Sequence, residues 1–262
     1  MSAPALNPIL CVSDLAFQVQ DLQILQGISL DIQPHEFVCI VGSSGCGKTT
    51  LLRLLAGLLT PTHGQVLYKG QQVQAPHPEL AVVFQDYGRA LLPWRTVYGN
   101  VELALEARQV PRAQRAELIH GLLAQVGLAD RAQAYPMQLS GGMQQRLQIA
   151  RCLAQSPQVL LMDEPFGALD AMTRQTLQDE VARLCQESGV TVVFITHDLE
   201  EAIYLGDRVL AMTKGPGRIG ATLDVDLPRP RHQLTTREDA QFLDRKSTRL
   251  NSSHLGISYA VF

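Results

Sequence analysis

The residues with the clearest chemistry form a run of nine, GSSGCGKTT at positions 42–50. The run has the form G-x-x-x-x-G-K-[ST], in which glycines let the backbone curl until its N–H groups face an anion. Lys48 can neutralise phosphate oxygens, and the Thr49 hydroxyl can bind magnesium. We expect phosphate binding by every residue of this loop: Gly42, Ser43, Ser44, Gly45, Cys46, Gly47, Lys48, Thr49 and Thr50.

The context of the loop supports this interpretation. It follows the apolar run 37–41 and opens a leucine-rich stripe at 49–59 with helical spacing. The alternative is a glycine-rich turn that binds nothing. The preceding strand, the lysine and the threonine all occupy the positions that the phosphate-binding motif requires, which argues against this alternative. Cys46 inside the loop is expected to fill space rather than act as a nucleophile.

Two acidic residues, Asp163 and Glu164, end the apolar run VLLMDEP at 159–165. Unpaired charge at the end of a buried strand is costly, so something must compensate it. We expect Asp163 to bind magnesium and Glu164 to orient and polarise an attacking water. The alternative is a pair of solvated acids at a strand end.

Two further polar residues end apolar runs. Gln85 follows 81–84 and His197 follows 191–196, so each emerges where strands could converge on a ligand. A histidine after a strand is by itself more often an ordinary loop residue. The inclusion of both residues in a site therefore depends on the other motifs.

The elements that must position these residues follow from apolar patterning. Short β-rich runs, several nearly all apolar as in strands buried on both faces, occur at 28–32, 37–41, 81–84, 159–162, 191–195 and 209–212. Helical patterns occur at 49–59, 112–126, 143–154 and 170–187. Between residues 86 and 154 there is no strong strand signal, which predicts a helical subdomain inserted into an α/β core.

Composition narrows the function further. The net charge of −3 with scattered basic residues indicates no nucleic-acid partner. The five cysteines have no zinc-site spacing and favour reduced thiols in cytosol. The sequence contains no apolar stretch of about 18 residues, so we expect any role at a membrane to require docking onto another chain.

The stretch 244–262, DRKSTRLNSSHLGISYAVF, has no hydrophobic period. It resembles a translated sequencing adapter, so we predict a disordered tail of non-native origin and exclude it from the fold. Removing its net +2 from the chain's −3 leaves −5, which strengthens the case against nucleic acid.

The segment LSGGMQQR at 139–146 resembles the signature of ABC-type ATPases, and its spacing to the other motifs is also similar over about 10–230. The resemblance implies an α/β fold: a P-loop NTPase (ABC-type) core with an antiparallel β subdomain and an inserted helical subdomain. We expect one ATP-binding domain at 1–243, with the helical subdomain at about 86–154.

The resemblance also assigns roles. Gln85 becomes the Q-loop glutamine and a magnesium ligand, residues 168–170 become the D-loop with Asp170 at the nucleotide, and His197 becomes the switch histidine. At the signature itself, Ser140, Gly141 and Gly142 at a helix start offer backbone and hydroxyl donors to phosphate.

Assembly and partners follow from the family arrangement. The signature of one protomer would face the phosphate loop of another, which implies a head-to-tail homodimer with two ATP molecules and Mg²⁺. Three segments, at 83–97, 170–181 and 215–231, resemble the corresponding segments of ATP-binding subunits that serve importers of nitrate, sulfonate, taurine and related solutes. The expected partners are transmembrane permease subunits and, indirectly, a solute-binding protein, with the chain peripheral on the cytoplasmic face of the inner membrane.

Some features leave alternatives open. The family's adenine-stacking position falls on Val19, with Phe17 two residues earlier, and His35 replaces a common glycine. The stretch 91–94, Leu-Leu-Pro-Trp, is either a permease contact or ordinary core. A soluble ABC-type clamp or regulator is the alternative function, although the chain lacks long coils, tandem cassettes and basic tracts. A non-hydrolysing subunit is disfavoured because no catalytic residue is missing.

Overall fold

The computed structural model describes residues 7–167 and 169–243, which form two compact units. The first unit joins the chain up to His77 with the chain from Gly189 onward, and the second spans Pro78–Ser188. Along the sequence, the second unit is therefore an insertion into the first. Ala168 and the predicted non-native tail at 244–262 lie outside the described residues.

The first unit contains an antiparallel sheet made by the N-terminal part of the chain. Its strands are β1 (Leu10–Val19), β2 (Leu22–Ile32), β4 (His63–Tyr68) and β5 (Gln71–Gln72). Their order is β2-β1-β4-β5. Of these strands, apolar patterning predicted only the second half of β2.

The first unit also contains four paired strands of mixed direction. They are β3 (Phe37–Gly42), β8 (Thr191–Thr196), β9 (Arg208–Thr213) and β10 (Arg218–Asp224), in the order β10-β9-β3-β8. β3 runs parallel to β8 and β9, and β10 is antiparallel to β9. Every residue of β3 and β8 is buried, which is why their sequences are almost entirely apolar.

Three helices belong to the first unit: α1 (Lys48–Leu55), α7 (Leu199–Leu205) and α8 (Thr235–Glu238). The sequence predicts that the first helix continues to residue 59, and that prediction is wrong. Gly57 has a φ of 69°, and a Cβ there would lie 2.4 Å from the Ala75 carbonyl oxygen. The helix ends because the chain turns in the left-handed region against a neighbouring backbone.

The second unit is mostly helical around one parallel strand pair. The strands are β6 (Leu80–Val83) and β7 (Val159–Asp163), with Val83 opposite Met162. The helices are α2 (Tyr87–Ala90), α3 (Val97–Ala107), α4 (Arg112–Gln125), α5 (Gly141–Ala154) and α6 (Ala171–Ser188), with short 3-10 turns at Ala129–Arg131 and Pro136–Gln138. An apolar core that includes Val101, Ile119 and Leu147 joins the helices.

Candidate functional site

The phosphate loop, residues 42–50, connects β3 to α1 in the first unit. Gly45 and Gly47 have φ values of 78° and 99°, a region that favours glycine. Gly47 is the N-cap of α1, so the N–H groups that follow it lack acceptors within the helix. The loop therefore presents the start of a helix in the arrangement that binds anions.

Close backbone contacts fix the base of the loop. A Cβ at Gly42 would lie 2.8 Å from both the Cys46 Sγ and the Met212 carbonyl oxygen. A Cβ at Gly217 would lie 2.1 Å from the Cys46 carbonyl oxygen. Both positions require glycine because any side chain would displace the loop. The turn between β9 and β10 thus supports the phosphate loop, a contact that no sequence pattern indicated.

Lys48 is the buried cation of the loop, with 5% of its surface exposed. Its Nζ donates to the Gly42 carbonyl oxygen at 2.8 Å and to the Ser43 carbonyl oxygen at 3.3 Å. Thr49 follows in the first turn of α1. An ammonium, a hydroxyl and helix-start N–H groups form a donor set that fits a magnesium-bound polyphosphate. Burial raises the pKa of the Cys46 thiol, which leaves it a poor nucleophile.

His197 follows the strand next to β3. Thr196, the last residue of β8, pairs with Val41, so His197 and Gly42 occupy the same edge of the parallel strands. The His197 side chain is exposed. Asp198 is the N-cap of α7, and its carboxylate accepts hydrogen bonds from two backbone N–H groups of the first turn. Within the first unit, the fold brings the predicted switch histidine to the edge that carries the phosphate loop.

The second unit places the acidic pair and Gln85 at the ends of neighbouring strands. Asp163 is the last residue of β7 and is buried, at 6% exposure. Glu164 has a φ of 42°, a backbone conformation that residues other than glycine rarely adopt. Gln85 lies two residues beyond β6, which is parallel to β7, and is exposed. These three predicted residues therefore share one strand edge.

The signature forms the start of α5. Ser140 is the N-cap, and its hydroxyl accepts a hydrogen bond from the Met143 N–H at 3.4 Å. Gly142 is buried, and a Cβ there would lie 2.8 Å from Thr173 Cγ2 of α6. Asp170 accepts a hydrogen bond from the Thr173 N–H, which lowers the pKa of its carboxyl. The predicted signature and the described part of the D-loop thus meet at the starts of two helices.

Gln148 contacts the segment that carries Gln85, and the sequence did not indicate this role. It is fully buried in α5, and its side-chain amide exchanges two hydrogen bonds with the Phe84 backbone: Nε2 donates to the carbonyl oxygen at 3.2 Å, and Oε1 accepts from the N–H at 2.8 Å. Phe84 precedes Gln85. The signature helix therefore fixes the end of the strand that carries Gln85. No sequence signal marked it, because Gln144, Gln145 and Arg151 lie on the same side of the helix.

The stretch 91–94 is divided between the core and the surface, so the structure leaves the predicted permease contact untested. Leu91 belongs to the core of the second unit at 2% exposure, whereas Trp94 is 71% exposed. Buried Asn100 organises the turn between them: its Oδ1 accepts from the Leu92 N–H at 2.9 Å, and its Nδ2 donates to three carbonyl oxygens of the same turn. The exposed indole is therefore presented by a rigid turn.

Other features of the described residues add no second site. A polar cavity of about 630 Å³, lined in part by Asp14, His63 and Arg218, contains none of the predicted site residues. Among residues 7–167 and 169–243, no three His, Cys, Asp or Glu side chains group as a metal site. In that part of the chain, every helix is too short or too polar to cross a bilayer.

Residues 25–167 match the family model described as ABC transporter. The nitrate import ATP-binding protein NrtC of Synechococcus elongatus is 48% identical over 230 residues, which are 87% of this chain but only 35% of that protein. The bicarbonate transport ATP-binding protein CmpD of the same organism is 42% identical over 257 residues, covering 95% of this chain and 92% of CmpD.

A solved structure extends the similarity to the fold. CbiO1 of Clostridium perfringens, described as part of the ABC transporter complex CbiONQ, superimposes with a TM-score of 0.76 at 26% identity. The match covers 83% of this chain and 89% of that one. Together with the α/β arrangement described above, it confirms the predicted fold class.

Proposed function

Because the chain belongs to the ABC transporter family as an ATP-binding, ATP-hydrolysing protein, we propose that it powers the import of a small oxyanion through a membrane permease. The observation that carries this proposal is the likeness to nitrate and bicarbonate transport proteins, which extends over 92% of CmpD. The chain corresponds to 35% of NrtC, so the comparison with that longer protein concerns one part of it.

The phosphate loop binds the triphosphate of ATP in this proposal. The N–H groups of residues 42–50 and the start of α1 face the phosphates, and Lys48 neutralises their oxygens. The buried ammonium already lies against the loop, at 2.8 Å from the Gly42 carbonyl oxygen. ATP binding therefore requires little rearrangement of the lysine. Adenine contacts Phe17 or Val19 of β1, of which Val19 is 51% exposed.

Hydrolysis requires a water activated beside the γ-phosphate. Glu164 accepts the proton of that water. The positive φ of its backbone sets the direction in which the side chain leaves the strand end. Thr49, Gln85 and Asp163 would hold Mg²⁺. The ion neutralises charge on the phosphate oxygens when it is bound. His197 stabilises the departing phosphate from the edge of β8.

The two halves of the chain serve different ATP molecules. Ser140, Gly141 and Gly142 of one protomer meet the ATP held by the phosphate loop of a second protomer, and Asp170 lies at the same interface. ATP closes such a head-to-tail dimer, and hydrolysis reopens it. Binding energy is thereby converted into a movement that a partner can use.

The permease receives that movement at the turn that carries Trp94. The indole is 71% exposed, and the backbone on either side of it is bonded to buried Asn100 at Leu92 and Arg95. A large apolar surface on a restrained turn suits an interface anchor. The chain thus lies peripherally on the cytoplasmic face of the membrane. A solute-binding protein contacts the permease and not this chain.

The solute is an oxyanion such as nitrate, bicarbonate or a sulfonate, including taurine. Nitrate and bicarbonate are named for relatives of this chain, and both are small planar anions. None of the proposed ATP-site residues selects the solute. The choice among these anions therefore belongs to the permease and to the binding protein.

Co-purification followed by reconstitution tests the proposal. We expect the tagged full chain to be recovered with a membrane permease, and its ATPase rate in proteoliposomes to rise when the binding protein carries its oxyanion. Trp94→Ala should lose the permease and keep ATP binding. Leu118→Ala, which removes another exposed apolar side chain from α4, should keep both. Salt-sensitive retention on nucleic acid without a permease would instead support a soluble clamp.

A further inference from the structure

The C-terminal strap, defined as residues 227–237, makes hydrogen bonds to α7, the helix that follows His197. Arg231 lies at the end of α7 with only 3% of its side chain exposed. Its guanidinium donates to carbonyl oxygens of the last turn, at 3.2 Å to Ile203, 2.9 Å to Tyr204 and 2.8 Å to Gly206. The last carbonyls of a helix lack donors within the helix and favour a nearby cation.

Arg229 of the strap extends this contact to the strand of the phosphate loop. Its Nη2 donates to the Leu205 carbonyl oxygen at 2.8 Å and to Asp207 Oδ1 at 2.6 Å. The other oxygen of Asp207 accepts from the N–H of Phe37, the first residue of β3, at 2.9 Å. The Asp207 carboxylate therefore joins the strap to the start of β3, and Arg229 joins the strap to the end of α7.

The strap also contacts the beginning of α7. Arg237 donates to Glu200 Oε2 at 3.1 Å, and its guanidinium lies 5.4 Å from the centre of the Tyr204 ring. The Glu200 N–H donates to Asp198 Oδ1 at 2.8 Å, and Asp198 adjoins His197. α7 is thus bonded to the strap at both of its ends.

Burial makes the charge at Arg231 expensive unless its donors are satisfied. Desolvation lowers the pKa of Arg231 to about 10, with the nearby Arg229 contributing in the same direction and Asp207 opposing it. The guanidinium is nevertheless charged at neutral pH. The two terminal nitrogens of Arg231 have fixed acceptors, whereas its buried Nε has none. The bonds of the terminal nitrogens hold one geometry, because each displacement leaves a further donor unpaired.

We propose that the strap, through Arg231 and Arg229, is a positioning element for His197. The strap fixes α7, and α7 fixes the residue just before its N-cap relative to β3 and the phosphate loop. This inference rests on the proposed function, since the role of His197 in ATP hydrolysis is proposed there. Arg231 contacts no ATP in this account and acts only through the helix.

A double-mutant cycle on the full chain tests the coupling. We expect Arg231→Met to lower kcat for ATP roughly tenfold and to leave KM within about twofold, a size typical of remote positioning residues. In a His197→Ala background the same substitution should change kcat by less than about twofold, since its target is already absent. Arg231→Lys, which keeps the charge but has fewer donors, should give an intermediate kcat.

The matched control is Arg183→Met. Arg183 also pairs with a carboxylate and donates to a carbonyl oxygen, but it lies on α6 in the second unit. It should leave kcat unchanged. Equal reductions of kcat by Arg231→Met in both backgrounds, or a large rise in KM, would overturn the proposal. If Arg231→Met does not fold, the cycle is run with Arg231→Lys.

A second readout does not depend on catalysis. The chain has seven histidines, and spectra of ¹³C-histidine-labelled protein allow His197 to be assigned from His197→Ala. We expect the His197 signal to shift in Arg231→Met and to stay in place in Arg183→Met. An unmoved signal contradicts the positioning role even if the wild-type chain hydrolyses no ATP. Failure of wild-type hydrolysis would count against the proposed function alone.

Discussion

Gly217 lies against the backbone of the phosphate loop, and its lack of a side chain sets how closely the two pack. In Gly217→Ala the new Cβ would lie 2.1 Å from the Cys46 carbonyl oxygen, whereas ordinary contact begins near 3.4 Å. The oxygen would have to retreat by about 1.3 Å to restore ordinary contact. Gly217 itself cannot easily yield, because its N–H donates to Ile24 and its carbonyl accepts from Gln26.

The size of this displacement sets the expected loss of activity. A shift of about 1 Å in a positioned group costs roughly 10²-fold in rate. We therefore expect Gly217→Ala to lower kcat/KM for ATP about 100-fold, with weaker ATP binding, because the loop N–H groups no longer converge on the phosphates. Phosphate release measured against ATP concentration gives kcat/KM, and a fluorescent ATP analogue gives the affinity.

A matched substitution separates this effect from a general response to alanine. A Cβ at Gly121 in α4 meets nothing within 4 Å, so Gly121→Ala should leave ATP hydrolysis unchanged. It should also raise the free energy of unfolding by up to about 1 kcal/mol, because alanine favours the helix. A folded Gly217→Ala chain with wild-type rate and affinity would refute the reasoning.

Three further outcomes are expected. Gln148→Ala should lower kcat several-fold and the free energy of unfolding by about 1–3 kcal/mol, because it frees the Phe84 backbone next to Gln85; kinetics and urea titration check both, and an unchanged kcat would contradict the coupling. Gln145→Met should raise the free energy of unfolding by about 1 kcal/mol, because the buried amide of Gln145 has no hydrogen-bond partner. Urea titration checks this, and a lower urea midpoint would show that the amide is bonded. In thiol labelling, only Cys11 should react in the native chain and all five cysteines after unfolding, since the other four are buried; more than one fast thiol would contradict this.

Most of the strands that the sequence predicted are buried on both faces; the exception is the second half of β2, where buried and exposed residues alternate. β3 and β8 have an uninterrupted apolar sequence because every position is covered. β1 has a different burial pattern, with exposed residues on both sides and register shifts between Val12 and Leu15 and between Leu15 and Phe17. A bulged, half-exposed strand keeps no period of two, so apolar patterning could not predict β1.

The residues of the candidate site also differ in how far the sequence could predict them. The proposed roles of Lys48 and Ser140 depend on their own loop and helix start, so sequence spacing predicts where each residue lies. Gly217 and Gln148 matter because of the backbone that folds against them, 171 residues from Cys46 in the first case and 64 residues from Phe84 in the second. Local pattern carries no information about such partners. The support of the phosphate loop and the anchoring of Gln85 therefore emerged only from the structure.

The central claim is that Glu164 activates the water that cleaves ATP. The most direct measurement compares phosphate release and ATP binding in the wild type, Glu164→Gln and the control Glu187→Gln, which alters an exposed carboxylate on α6. We expect Glu164→Gln to bind ATP, to favour the dimer and to lose turnover by about 10²-fold or more, while Glu187→Gln behaves as wild type. Undiminished phosphate release by Glu164→Gln would contradict the account.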